Sequence, residues 1–158
     1  MEMKTYQKAV IADLTRYLEL LNQTQNYAAA FRLFWQEKSA PALGRYQDIL
    51  PGVPNLCFKV PTGGGKTFLA CNAIKPILET MPFSKARAVV WLVPSDVILT
   101  QTVKALQDTA YPYRQKIDVD FGGRVEVYTK QQLLNGQQFN PTAVTEQISI
   151  MVLSYDSF

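Results

Sequence analysis

The chain has 158 residues, of which 47% are hydrophobic and 18% charged, a composition that excludes a disordered tail or a low-complexity linker. It contains no histidine, which excludes histidine-dependent nucleophiles, histidine-ligated zinc and imidazole acid–base chemistry. Sixteen basic and thirteen acidic residues give a net charge of +3, too small to identify a nucleic acid or a membrane as partner.

The two cysteines and the start of the chain indicate its cellular setting. Cys57 and Cys71 lie fourteen residues apart in apolar stretches, which excludes a CxxC redox pair and a zinc knuckle and predicts buried thiols in a reducing compartment. Residues 1–6 include charged side chains, whereas a secretory signal has an apolar core. The longest apolar run, residues 88–93, is too short to span a bilayer. We therefore expect a cytoplasmic protein without a membrane partner.

The N-terminal third is predicted to be helical. Apolar residues recur at steps of three and four between residues 6 and 21, which predicts an amphipathic helix ending near Asn22. The same spacing predicts a second, short helix over residues 27–35. Prolines and glycines then punctuate residues 41–54, which indicates a long loop.

A strand, a glycine turn and a helix are predicted next. Residues 55–60 are β-prone, residues 61–65 are rich in turn-forming residues, and residues 66–81 resume helical spacing. Pro76 lies inside this helix and should kink it or end it early, because proline lacks the N–H donor and clashes with the preceding turn.

The C-terminal half is predicted to alternate strands with helices. Residues 88–93 are apolar without alternation, which is typical of a strand covered on both faces, and a helix follows to about residue 109. Residues 125–128 and 148–153 are further predicted strands, with a short helical turn at residues 131–135 between them. This order predicts a parallel, doubly wound α/β sheet.

The most informative segment is residues 60–67, with the sequence VPTGGGKT, between the predicted strand and helix. Three consecutive glycines, Gly63 to Gly65, allow the backbone to turn its N–H groups inward beside Thr62 and form an anion nest. The helix start adds unpaired amides and a positive dipole end. Lys66 can reach the β- and γ-phosphates and the Thr67 hydroxyl can ligate Mg²⁺, so both are candidate catalytic residues with ATP and Mg²⁺ as cofactors.

This segment departs from the phosphate-loop consensus GxxxxGK[ST] at one position. Gly65, Lys66 and Thr67 match, but Val60 stands where the first glycine belongs. The alternative interpretation is a flexible glycine turn whose lysine is only solvated.

The string PTGGGKT at residues 61–67 resembles motif I of the helicase superfamily 2 ATPases, above all the restriction subunit of type III restriction enzymes and related DEAD/DEAH-type translocases. Members of those families commonly lack the first consensus glycine. The resemblance implies a RecA-like P-loop NTPase fold, an α/β fold with a parallel sheet flanked by helices. It divides the chain into an N-terminal helical segment, residues 1–54, and part of a RecA-like domain, residues 55–158.

Residues 4–7, Lys-Thr-Tyr-Gln, resemble the stretch that precedes motif I in many such proteins. The resemblance implies that Gln7, beside Tyr6, reads the adenine edge, and an amide that both donates and accepts suits adenine. Gln7 lies 56 residues before Gly63, farther than in typical members, which makes residues 27–54 an insertion. The alternative is an exposed glutamine at the start of a helix.

Residues 93–95, followed by Ile98 and Gln101, are similar to motif Ia, which implies that Pro94, Ser95 and Gln101 contact the phosphate backbone of nucleic acid. The alternative is that Ser95 or Asp96 only caps a helix. Residues 122–123 correspond either to the family's double-glycine loop or to a plain β-turn.

Residues 148–158 look like the strand that precedes motif II in these proteins. An alternative makes Asp156 the metal-binding Walker B carboxylate, but Ser154 and Tyr155 separate it from the apolar run. The resemblance places motif II and the arginines of motif VI beyond Phe158, so we expect an incomplete motor domain that is inactive in ATP hydrolysis by itself.

We therefore predict the ATP-binding portion of a superfamily 2 DNA helicase or translocase, like the type III restriction subunit, which couples ATP hydrolysis to movement on duplex DNA in the full-length protein. Its implied partners are DNA and a modification or specificity subunit. Eight basic against three acidic residues between positions 58 and 116 hint at a positive face. The alternatives are a P-loop nucleotide-binding or interaction module that does not hydrolyse ATP and, less favoured, a small-metabolite kinase.

Overall fold

The structure, a computed structural model, describes residues 1–42, 44–80, 86–136 and 139–157. The backbone folds into two compact units. We call Glu2–Pro82 the N-terminal unit and Phe83–Phe158 the sheet unit. The predicted division at residues 54 and 55 stays a prediction.

Helices form the described regular structure of the N-terminal unit. Helix α1 (Thr5–Thr24) contacts the two other helices, and its buried leucines pack with Ala30 and Phe34 into an apolar core. The Asn26 side chain accepts a hydrogen bond of 2.8 Å from the Ala29 N–H and thereby caps the second helix. These helices are α1 (Thr5–Thr24), α2 (Tyr27–Glu37) and α3 (Lys66–Thr80).

Three predictions for this unit are corrected. Residues 55–60 lie outside any helix or strand, because a strand needs a neighbour for its backbone N–H and C=O groups and prolines flank this segment on both sides. Cys57 lies on it and is exposed, so only Cys71 is a buried thiol. The helix does not end at Pro76 but continues to Thr80, whose hydroxyl donates to the Pro76 carbonyl at 2.6 Å, while the kink at Pro76 stays a prediction. Met81 lies outside the described residues.

The sheet unit is built on parallel strands, as predicted. Among the described residues, β3 (Ile148–Ser154) lies between β1 (Ala88–Val93) and β2 (Val125–Thr129) and is parallel to both, with Ile150 opposite Val89 and Val127. Helix α4 (Asp96–Gln107) contacts all three strands. The elements are β1 (Ala88–Val93), α4 (Asp96–Gln107), α5 (Pro112–Phe121), β2 (Val125–Thr129), α6 (Lys130–Asn135), a 3₁₀ turn (Pro141–Thr145), β3 (Ile148–Ser154) and a 3₁₀ turn (Tyr155–Ser157).

Burial differs between the strands. Ile150 on β3 is fully buried, whereas Val90 on β1 is 56% exposed and Leu92 is 45% exposed. The prediction that β1 is covered on both faces is therefore wrong, since exposure alternates along the strand and Val90 and Leu92 leave one face open within the described residues.

The sequence did not predict α5. This helix begins with a proline at its first turn and ends at Gly122, which adopts the left-handed conformation with φ +63°. Gly122 and Gly123 end the helix in a turn, in which the Arg124 N–H donates to the Phe121 carbonyl at 3.3 Å, so the predicted β-turn is confirmed and the correspondence with the family's double-glycine loop stays a prediction. Arg114 fastens the helix by donating to the Leu106 carbonyl at 3.1 Å and to the Val125 carbonyl at 2.9 Å.

Candidate functional site

The glycine loop, residues 61–65, forms a tight turn that leads into α3. The Gly64 N–H donates to the Pro61 carbonyl at 3.0 Å, and Gly63 and Gly65 adopt φ values of +75° and +68°. Such positive φ values favour glycine, because a Cβ would be strained there. The backbone conformation of the turn therefore explains why positions 63 and 65 are glycines.

The backbone amides at the helix start are open to a ligand. Within the described residues, the N–H groups of Gly65, Lys66 and Thr67 have no hydrogen-bond acceptor, as expected at the first turn of a helix. A Cβ placed on Gly63 would meet nothing within 4 Å, so the loop is open beside this glycine. Unpaired amides and the positive end of the helix dipole together fit an anion such as a phosphate chain.

Gly64 is packed from behind by α1. The Tyr6 hydroxyl donates to the Gly64 carbonyl, and Gln7 Nε2 donates to the same oxygen at 3.0 Å. The Gln7 Oε1 accepts from the Lys4 N–H at 2.9 Å, and the Gln7 side chain is buried, with 2% of the residue exposed. The first turn of α1 therefore holds the loop in place.

Lys66 and Thr67 stand at the start of α3 in the positions that the sequence predicts. The exposed Lys66 amine donates to the Pro61 carbonyl at 3.0 Å, so its tip folds back over the loop. Thr62 is exposed beside it, and Thr67 is half-buried in the first helical turn. The predicted phosphate-binding residues are thus brought together with Tyr6 and Gln7 around one loop.

The residues that resemble motif Ia lie in the sheet unit. Ser95 caps α4 by accepting a hydrogen bond of 3.5 Å from the Ile98 N–H, while Pro94 and Gln101 are exposed. Asp96 accepts a hydrogen bond of 2.8 Å from the hydroxyl of Ser154, the last residue of β3. The capping role of Ser95 is confirmed, and its contact with nucleic acid stays a prediction.

Charge in the basic segment between residues 58 and 116 is partly neutralised within the chain. Lys75 pairs with Glu79 at 3.8 Å, Arg114 with Asp118 at 2.8 Å and Lys116 with Asp120 at 2.5 Å. Lys85 lies outside the described residues. The sequence count of basic residues therefore overstates the positive charge that a polyanion would meet.

Candidate metal ligands are sparse in the part of the chain that the structure describes. No group of three or more Cys, Asp or Glu side chains is placed there to hold an ion. Asp156 is exposed in the 3₁₀ turn after β3, beside Ser154 and Tyr155. The Thr67 hydroxyl is the side-chain oxygen at the glycine loop that fits a Mg²⁺ bound mainly by phosphates and water.

One contact of the site was beyond local sequence reasoning. The resemblance singled out Tyr6 and Gln7 for adenine, yet both donate to the carbonyl of Gly64. Gln7 and Gly64 are separated by 57 residues, and no periodicity or motif spacing gives a pairing over that distance.

Comparison with known proteins gives one match. Residues 1–158 match the family model described as Type III restriction enzyme, res subunit. No curated protein and no solved structure matches the chain. The match and the parallel sheet with its helices confirm the predicted RecA-like α/β fold. Within the described residues, no helix is both long and apolar enough to cross a membrane.

Proposed function

We propose, from the premise that the chain belongs to the family of the type III restriction enzyme res subunit, that residues 61–67 bind the triphosphate of ATP in a superfamily 2 motor. The family is one of helicase-like ATP-binding modules, and it implies interaction with DNA and with a modification subunit in general. The observation that carries the proposal is the glycine loop, whose amides at Gly65, Lys66 and Thr67 are unpaired while Gly64 is held from behind.

Each residue of the loop has a distinct part in this proposal. The amide N–H groups donate hydrogen bonds to the phosphate oxygens, and the Lys66 amine leaves the Pro61 carbonyl for the β- and γ-phosphates. Thr67 would hold Mg²⁺ through its hydroxyl, and the ion would supply positive charge beside the phosphates. Tyr6 and Gln7 keep the loop shaped for this contact.

In the whole protein, the same loop would serve hydrolysis coupled to movement along duplex DNA. Pro94, Ser95 and Gln101 would hold the phosphate backbone, since a capped helix start can bind phosphate without reading sequence. The modification or specificity subunit would choose the DNA site.

Replacing Lys66 by alanine tests the proposal. We expect ATP to bind about 10- to 150-fold more weakly, because a hydrogen bond to a charged group contributes roughly 1.5–3 kcal/mol. Titration of a fluorescent ATP analogue measures the dissociation constant. Lys59→Ala is the matched control, since Lys59 is an exposed lysine just before the loop and its loss should leave affinity unchanged.

Equal ATP affinity in the wild type and in Lys66→Ala would contradict the proposal that residues 61–67 bind the triphosphate. A phosphate-release assay on the same samples separates the motor from the alternative. Tight ATP binding without turnover, even in a chain extended to include an Asp-Glu motif, would favour an interaction module that does not hydrolyse ATP.

Replacing Gln7 by alanine separates the two roles proposed for this side chain. The variant loses the bond to Gly64, so we expect ATP affinity to fall roughly 5- to 30-fold, from about 1–2 kcal/mol per lost buried hydrogen bond. If Gln7 also reads adenine, the preference for ATP over GTP falls as well. Lys8→Ala, at the adjacent exposed position, is the control. An equal loss of affinity for ATP and GTP would mean that Gln7 only holds Gly64 in place and does not read the adenine base.

A further inference from the structure

A cleft in the N-terminal unit lies apart from the glycine loop. It has a volume of about 740 Å³ and is formed by α2 and the segment that follows it. Pockets that take small ligands typically measure about 300–1,000 Å³. The lining includes three aromatic and two basic side chains, Phe31, Trp35, Tyr46, Arg32 and Arg45.

The aromatic side chains of the cleft form one cluster. The Phe31 ring lies 5.8 Å from that of Tyr46 and 6.1 Å from that of Trp35, measured between centroids. All three residues line the cleft and are half-buried rather than enclosed in the core. Such a wall offers stacking area to a flat apolar ligand.

The charge of the cleft is uncompensated. Arg32 and Arg45 are exposed, and neither has an acidic partner within the described residues. None of the described residues that line the cleft is acidic. The acidic residue of α2, Glu37, is bound by Arg16 at 2.6 Å, and this hydrogen bond lowers the pKa of the Glu37 carboxyl. The free charges at the cleft are therefore both positive.

We propose that this cleft binds single-stranded nucleic acid, with bases against the aromatic cluster and phosphates at the two arginines. Base stacking on aromatic rings beside a basic track is the usual means of binding unpaired strands. An acidic peptide would use the arginines but not the rings, and a duplex keeps its bases stacked on each other. This inference goes beyond the proposed function, since the glycine loop takes no part in it.

The fluorescence of Trp35, which lines the cleft, reports binding. The chain has two tryptophans, so in Trp91→Phe the fluorescence comes from Trp35 alone. We expect saturable quenching on titration with a short oligothymidylate. In that background, Arg32→Gln with Arg45→Gln should weaken binding about tenfold or more and lower the slope of log affinity against log salt by about 1.4, at about 0.7 per phosphate contact with a single strand. Phe31→Leu keeps apolar volume but removes a ring, and should weaken binding roughly 5- to 150-fold.

The controls make the outcome decisive. Arg87→Gln with Arg124→Gln removes the same charge from exposed positions in the sheet unit and should leave the quenching unchanged. An equal loss in both pairs would overturn the inference, as would polyglutamate or a duplex that quenches as well as oligothymidylate. Lys66→Ala should not alter the titration. Loss of the quenching in Lys66→Ala would assign it to the glycine loop and also overturn the inference.

Discussion

Alanine at position 64 is expected to abolish detectable ATP binding at concentrations that saturate the wild type and to lower the free energy of unfolding by about 1–3 kcal/mol. A Cβ on Gly64 would lie 2.6 Å from the Val60 Cγ1 and 2.9 Å from the Pro61 carbonyl oxygen. The second neighbour is backbone, so the loop itself has to shift, and the amides of residues 65–67 shift with it. Calorimetric titration with ATP and urea denaturation measure the two effects.

Gly44→Ala is the matched control for this variant. A Cβ on Gly44 meets nothing within 4 Å, and its φ lies outside the left-handed region. This change should leave ATP affinity at the wild-type value. Wild-type affinity in Gly64→Ala would contradict the tight packing of the loop as the basis of phosphate binding.

Replacing Ile150 by alanine should cost the sheet unit about 2–5 kcal/mol of stability, the usual range for a buried large-to-small change. Ile150 is fully buried on β3 between Val89 of β1 and Val127 of β2. Urea denaturation of Trp35→Phe follows the unit through Trp91, which lies on β1 opposite Val152. Val90→Ala, at a position 56% exposed, should change stability by no more than about 0.5 kcal/mol. Similar losses in both variants would be inconsistent with β3 as the centre of the core.

The strands of the sheet unit were predictable because short, uninterrupted apolar runs are typical of buried strands. Residues 88–93 form a strand with the predicted bounds, and residues 148–154 extend the prediction by one residue. Helix α5 was missed because its sequence is mostly polar and buries Ile117 alone among its residues. The proline at its start and Gly122 at its end are the local signals of this helix, and apolar periodicity does not include them.

The errors in the N-terminal unit have a common physical source. Residues 55–60 have strand-like composition, but a strand is decided by a partner rather than by its own sequence. Pro76 removes one hydrogen bond from α3, yet the buried face of the helix, including Phe68 and Ile74, outweighs that loss. In both cases tertiary contacts override the local preference.

For the candidate site, the sequence supplied the residues but not their contacts. The positive φ of Gly63 and Gly65 and the placement of Lys66 at the helix start follow from the motif. The bracing of Gly64 by Tyr6 and Gln7 does not, because it depends on how α1 packs beside the loop.

That bracing ties the behaviour of two distant stretches together. Because Tyr6 and Gln7 in the first turn of α1 both donate to the carbonyl of Gly64, a displacement of residues 4–7 would also displace the glycine loop. The reverse also holds, since a ligand that stiffens the cradle immobilises the first turn of α1. A subunit that binds residues 4–7 would therefore change the rate of nucleotide exchange at the glycine loop.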